Sequence, residues 1–280
     1  MPFLERPGEP RLHYEIDDFT DPWKRAPYIL LQHAQARSSR FWYSWVPYLS
    51  RFYKVIRLDL RGLGQSGRDF DRDALKVETY LPDFRDLLDH LGIESVHFCG
   101  ELSSGILGMA FAAEFPRRVR TLSLVSSPVY MTHEDKTSAL GGHASRIEAI
   151  RKAGGRAWLE ASNAGRRFPS DSDPGFLAWN LDEMAKSDDE MIIAYFRWAS
   201  ESDATPYLSK ISAPVLGLYP SQGVIVKEEH LDLLRARVKD IRIVRIPSRS
   251  QTLHLSAPRI CALEVLHFIA QYDGIAASEN

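Results

Sequence analysis

The chain has 280 residues, a formal net charge of −2 and an ordinary balance of apolar and charged side chains. That balance gives no basic field for nucleic acid, and no stretch approaches the roughly 20 apolar residues of a membrane span. The start, MPFLERPGEP, places charges and prolines where a signal peptide needs an apolar core, so the expectation is a cytoplasmic protein of one large domain, or one domain with an insertion.

Leu12 to Ile16 alternates and predicts a first strand, with Asp17 to Lys24 as a polar connection. Tyr28 to His33 (YILLQH) is a short continuous apolar run, as in a strand buried on both faces. Ser38 to Phe52 carries Phe41, Trp42, Trp45 and Leu49 at helical spacing, with Ser38 or Ser39 as N-cap. Val55 to Leu58 predicts a strand, followed by Asp59 and the turn Arg61-Gly62-Leu63-Gly64-Gln65-Ser66-Gly67. Thr79 to Leu91 predicts an amphipathic helix ended by Gly92. In VHFCGELSSGILGMAFAAEFP, an apolar strand (Ser95 to Cys99) runs into Gly100, a sharp turn follows, and a helix rich in Ala, Leu, Ile and Met stops before Pro116. Arg120 to Val125, Pro214 to Tyr219 and Ile241 to Ile246 predict three more strands, and the helix Pro258 to Tyr272 closes the chain. Cys99 and Cys261 sit among apolar residues and read as buried thiols, too few for a disulfide framework or a metal site.

Strands alternating with helices imply an α/β fold with a doubly wound, mostly parallel sheet. Between Tyr130 and Ser209 the pattern changes to helical segments (Arg146 to Ala153, Arg156 to Ala164, Met191 to Ser200) and loops such as Phe168 to Gly175. The predicted organisation is a core of residues 1–129 and 210–280, with a helical cap of residues 130–209 inserted after the sixth strand. The cap holds Trp158, Phe168, Phe176, Trp179, Tyr195, Phe196 and Trp198, with His133, His143 and Arg146. Most of these are expected in the cap's own core, and a few along a cleft between cap and sheet.

Asp59-Leu60-Arg61-Gly62-Leu63-Gly64-Gln65-Ser66 resembles the D-x-R-G-x-G-x-S turn of the α/β-hydrolase superfamily, especially its small lactonase, esterase and enol-lactonase-like members. The strand ending in His33, the following segment with Trp42 and Pro47, and the strand, turn and helix around Gly100 are similar to the family's oxyanion loop and nucleophile elbow. The resemblance covers roughly residues 11–130 and 210–272. The turn also spells G-x-G-x-x-G at Gly62, Gly64 and Gly67, but a dinucleotide fingerprint needs a helix starting at the glycines, and RDFDRD does not begin one.

The resemblance also locates the family's catalytic slots. Two residues beyond Gly100, the nucleophile slot holds Leu102, which has no group to attack a carbonyl. In Pro220-Ser221-Gln222-Gly223 the acid slot falls on Gly223, and the alternative acid position after the sixth strand reads Ser126-Ser127-Pro128. In Ser248 to Pro258 the histidine slot falls on Gln251, which is no general base near neutral pH. The resemblance therefore implies a hydrolase scaffold with all three triad positions replaced.

The remaining candidate catalytic groups are Glu101, Ser103 and His254. Glu101 stands beside the apex, where poor solvation would raise its pKa and fit it for proton transfer; otherwise it packs beside the turn. Ser103 offers a relocated nucleophile if the turn has gained a residue; otherwise Ser103 and Ser104 are small residues where helix and strand approach. His254, three residues past the histidine slot, is a displaced base or a packing residue. His33 and Ala34 stand where the family has His-Gly, so the N–H of Gln35 with that of Ser103 would form the oxyanion hole, its shape altered by Ala34.

Three functions follow as expectations. One is an enzyme acting on a small organic ligand by a cofactor-independent route without covalent serine catalysis. The second is a triad-less pseudoenzyme that binds a small ligand or a protein partner. The third is an ester or lactone hydrolase with Ser103 and His254 relocated. No metal or other cofactor, nucleic acid or membrane is expected; a homodimer is compatible with the sequence without being indicated by it.

Overall fold

The computed structural model describes residues 2–132, 142–163, 167–169, 171–223 and 226–277. Eight strands form one sheet in the order β1-β2-β4-β3-β5-β6-β7-β8. They are β1 (Phe3–Arg6), β2 (Glu9–Asp17), β3 (Tyr28–Gln32), β4 (Lys54–Leu58), β5 (Val96–Glu101), β6 (Val119–Val125), β7 (Val215–Pro220) and β8 (Ile241–Ile246). β1 and β2 pair antiparallel, β2 joins β4 antiparallel, and all later pairs are parallel.

The helices flanking the sheet are α1 (Val46–Leu49), α2 (Val77–His90) and α3 (Ser103–Glu114). Then come α4 (Arg146–Ala153), α5 (Gly155–Asn163), α6 (Pro174–Met184) and α7 (Asp189–Glu201), all between β6 and β7. The last three are α8 (Glu228–Arg237), α9 (Leu253–Ser256) and α10 (Pro258–Asp273). No described helix is long and apolar enough to cross a membrane.

The central strands β3, β5, β6 and β7 are almost wholly buried. Both faces of the sheet are covered, which explains continuous apolar runs in place of alternation. α3 is the most enclosed helix, buried from Ser103 to Ala112. It lies so close to the sheet that a Cβ on Gly105 would fall 2.0 Å from Ser127 Oγ. Small residues are therefore a packing requirement of this crossing.

Four local readings need correction. β1 precedes the expected first strand; its four residues are too few to show a pattern. Ser38 to Phe52 is not one helix but a 3-10 turn (Ser39–Trp42) followed by α1, and Ser38 makes no capping hydrogen bond. α6 occupies part of the expected loop region, with Asp173 capping Phe176 N and Pro174 in the first turn. α8 has a largely charged sequence, which hid its helical spacing.

The helices between β6 and β7 pack onto the segment after β3. Ile150, Trp158, Leu159, Met184, Ile192, Ile193 and Phe196 share a hydrophobic cluster with Ala36 and Phe41. Tyr195 Oη donates to Arg61 O, tying α7 to the turn after β4.

Candidate functional site

Parallel register aligns the strand ends. Gln32 faces Leu58 and Gly100, Glu101 faces Val125, and Val125 faces Leu218. His33, Asp59, Leu102, Ser126, Gly223 and Gln251 therefore all follow the carboxyl ends of strands, the edge where open α/β sheets place their ligands.

The turn between β5 and α3 is sharp, and Leu102 is its apex. It has φ 48° and ψ −124°, a left-handed conformation that costs a residue with a Cβ roughly 1–3 kcal/mol. This strained strand-to-helix apex is the geometry of a nucleophile elbow. The elbow is thus present as expected, with leucine at its tip.

Gly223 and Gln251 are in contact. A Cβ built on Gly223 would lie 2.0 Å from Gln251 Nε2, so the Gln251 amide fills the space a side chain at 223 would need. Gln251 is fully buried. The loop carrying it is fastened to the insertion: Ser250 Oγ donates to Arg167 O at 2.5 Å.

Glu101 is the last residue of β5 and is fully buried. Its Oε1 accepts from Ala34 N at 2.7 Å and from Arg37 Nη1 at 3.0 Å. Its Oε2 lies 3.6 Å from His254 Nδ1. The expectation of a raised pKa is corrected here. Burial pushes the carboxyl up, but the guanidinium of Arg37, with His254, the Ala34 amide and His33, outweighs it and holds Glu101 below its ordinary value. Glu101 is a carboxylate at neutral pH.

His254 lies on α9, buried under Trp42, whose ring centroid is 5.2 Å away. Burial and the nearby Arg37 outweigh the attraction of Glu101 and push the imidazole down to about 4, so it is neutral. His33 is also neutral, its pKa lowered chiefly by burial. Its Nδ1 is 2.8 Å from Ala34 O, and its Nε2 accepts from Leu60 N at 3.1 Å. This fixes the ring with the proton on Nδ1 and gives His33 a positioning part.

The serines are engaged by acceptors that are not bases. Ser103 Oγ donates to Gln35 Oε1 at 2.5 Å, and Ser104 Oγ donates to His33 O. The Ser103–His254 hydrogen bond expected of a relocated nucleophile is absent, because the fold brings His254 to Glu101. The amides of Gln35 and Ser103 stand at the loop and helix start that the oxyanion reading requires, whereas the amide of Ala34 is occupied by Glu101.

Arg37 was not legible as a site residue. Its neighbours, Gln35, Ala36, Ser38, Ser39 and Arg40, are mostly polar and give no sign of burial, and the partner that justifies the charge is 64 residues away. Of the aromatic residues of the insertion, Phe176 and Trp179 reach a cleft of about 750 Å³, which Arg40 and Tyr43 of the core also line. Trp158, Phe168, Tyr195, Phe196 and Trp198 are buried, and His133 lies outside the described residues. Among the described residues no cluster of His, Cys, Asp or Glu could hold a metal ion.

Comparison with known proteins agrees with this geometry. A family described as alpha/beta hydrolase fold matches residues 27–164. The enol-lactonase of Burkholderia xenovorans LB400 superposes with a TM-score of 0.84 at 23% identity, covering 96% of this chain and all of that one. The chain has the α/β-hydrolase fold. Over 279 residues it is 23% identical to a protein of Agrobacterium fabrum provisionally named carbamate hydrolase RutD, covering 94% of this chain and 99% of the relative. It is 29% identical over 157 residues to 2-hydroxy-6-oxo-2,4-heptadienoate hydrolase of Pseudomonas putida, covering 53% of this chain and 56% of that one.

Proposed function

We propose that this α/β-hydrolase-fold protein acts on or binds a small organic molecule between the insertion and the sheet edge, without an acyl-enzyme at the elbow and without a cofactor. The observation that carries the reading is Leu102 at the strained apex. An alkyl side chain there cannot form a covalent intermediate. The contact between Gly223 and Gln251 supports it, since an amide occupies the space a carboxylate side chain at 223 would take. The relatives named as hydrolases of a carbamate, an enol-lactone and a heptadienoate favour small molecules carrying carbonyl groups as the ligand class.

In the catalytic form of this reading, Glu101 orients His254 through its Nδ1 edge, and His254 Nε2 moves a proton on the ligand or a water. The amides of Gln35 and Ser103 stabilise developing oxyanion charge. The test is a turnover panel of esters, lactones and carbamates with wild type, Glu101→Gln and His254→Ala. Activity that both substitutions abolish supports the catalytic form. Activity indifferent to both overturns it.

A second reading, a binding module, is favoured by the His254 imidazole's being held down to about 4, which makes it a weak base at neutral pH. That reading expects ligand-induced thermal stabilisation with no turnover.

A further inference from the structure

Beneath the elbow, three buried side chains meet with their hydrogen bonding incomplete. Arg37 is 2% exposed, Glu101 0% and His254 1%. Arg37 spends Nη1 on Glu101 Oε1, while its Nε and Nη2 have no partner. Glu101 Oε2 and both ring nitrogens of His254 also have none. Buried polar atoms in folded proteins are paired with protein or with a bound molecule in the great majority of cases. Glu101 Oε2 and His254 Nδ1 face each other at 3.6 Å, so Arg37 Nε, Arg37 Nη2 and His254 Nε2 are the buried atoms left to receive polar atoms from outside the chain.

The geometry of the guanidinium selects among ligands. The Nε–H and Nη2–H bonds of a guanidinium run parallel along one edge, and that edge matches the two oxygens of a carboxylate. Glu101 uses the opposite nitrogen, so this edge stays whole. We infer that the Nε–Nη2 edge of Arg37 is a fork for the carboxylate of a small organic acid, with Glu101 and His254 contacting the ligand atoms next to it. The inference rests on the proposed small-molecule reading of this site and narrows its ligand class.

Charge adds a second requirement. Arg37 and Glu101 cancel, and His254 and His33 are neutral, so a bound carboxylate would leave one uncompensated negative charge in a buried site. A proton must enter with it. The charged and titratable groups facing the site are Arg37 from the loop after β3, Glu101 from the end of β5, His33 from the end of β3 and His254 from α9. His33 has both nitrogens engaged, with Nε2 accepting from the Leu60 amide. Glu101 is held as a carboxylate by the same guanidinium. His254, with no committed hydrogen bond, takes the proton.

The test uses the full chain with sodium benzoate, sodium acetate and neutral benzamide as probes, followed by thermal unfolding and titration calorimetry near pH 7. The expected result is stabilisation by the carboxylates and none by benzamide. The binding enthalpy should differ between phosphate and Tris buffers by an amount corresponding to uptake of one proton. Arg37→Lys keeps the charge but loses the fork and should weaken benzoate binding by roughly tenfold or more. Should that variant fail to fold, the wild-type comparison of benzoate with benzamide still decides. Equal stabilisation by both, or none by either carboxylate, overturns the fork; buffer-independent enthalpy overturns the proton coupling. Neither outcome bears on the absence of a covalent nucleophile, which chemical labelling tests separately.

Discussion

Two buried carboxylates at the same edge of the sheet, with β3 between them, are built to opposite ends. Asp59 is saturated: Oδ1 accepts from Ser39 N at 2.6 Å, and Oδ2 accepts from Gln65 N at 2.9 Å and lies 2.8 Å from His13 Nδ1. Its backbone carbonyl accepts from Ser66 Oγ, which in turn receives His13 N. Gly64, at φ 55°, has no room for a Cβ, which would fall 2.2 Å from the Asp59 carboxylate. Glu101 has one oxygen satisfied, and the other, 3.6 Å from His254 Nδ1, has no hydrogen bond. The same residue chemistry in similar burial thus serves architecture where every valence is closed, and points to ligand chemistry where valences stay open.

The sharpest way to break this contrast is Asp59→Ala. It removes the acceptor of three donors and is expected to cost about 3–5 kcal/mol, the range for breaking a buried charged network. Urea unfolding checks it; a loss near zero would mean that the turn is held by something else.

Next in size is the acid limb of stability. The native state resists protonating His254, so the unfolded chain binds more protons between its own pKa near 6.5 and the folded value of about 4. Stability should fall as pH drops through that window, by on the order of 1 kcal/mol per pH unit. Glu101 adds to the fall only lower down, because its stabilising contribution is present above the ordinary carboxyl range and is lost as pH falls through its depressed folded value. His254→Phe should flatten the upper part of the curve. An unchanged slope would place the titration elsewhere.

Glu101→Gln is expected to be milder than Asp59→Ala, about 1–3 kcal/mol near neutral pH, since an amide oxygen can still accept from Ala34 N and Arg37. If it proves as damaging as the Asp59 change, the two carboxylates are not distinct in kind.

The smallest expected effect lies at the third corner of the site. Gly223→Ala should cost about 1 kcal/mol, at the low end for overpacking, by displacing the Gln251 amide. Gly223→Ala combined with Gln251→Ala should be less destabilising than the sum of the singles, and a double-mutant cycle reads that coupling.

How much of this was legible in the sequence differs between fold and site for a physical reason. Buried parallel strands must be continuous apolar runs, and an elbow must have small residues where α3 crosses the sheet, so YILLQH and the GELSSG segment declare themselves. β1 and α8 do not, one being four residues long and the other largely charged. At the site, Leu102, Gly223 and Gln251 were locatable because motif spacing carries them. The protonation of Glu101 was not. Its burial was legible and argued for a raised pKa, but the opposing guanidinium belongs to a residue whose approach is set by tertiary packing. The burial of Arg37 is illegible in the sequence for the same reason.

The most direct measurement is the intact mass of the folded protein after incubation with a fluorophosphonate, followed by peptide mapping. With leucine at the elbow, and with Ser103 and Ser104 donating to Gln35 and to the His33 carbonyl, the mass is expected to stay unchanged. A single stoichiometric adduct on Ser103 or Ser104 would contradict that expectation and establish a serine hydrolase with a displaced nucleophile.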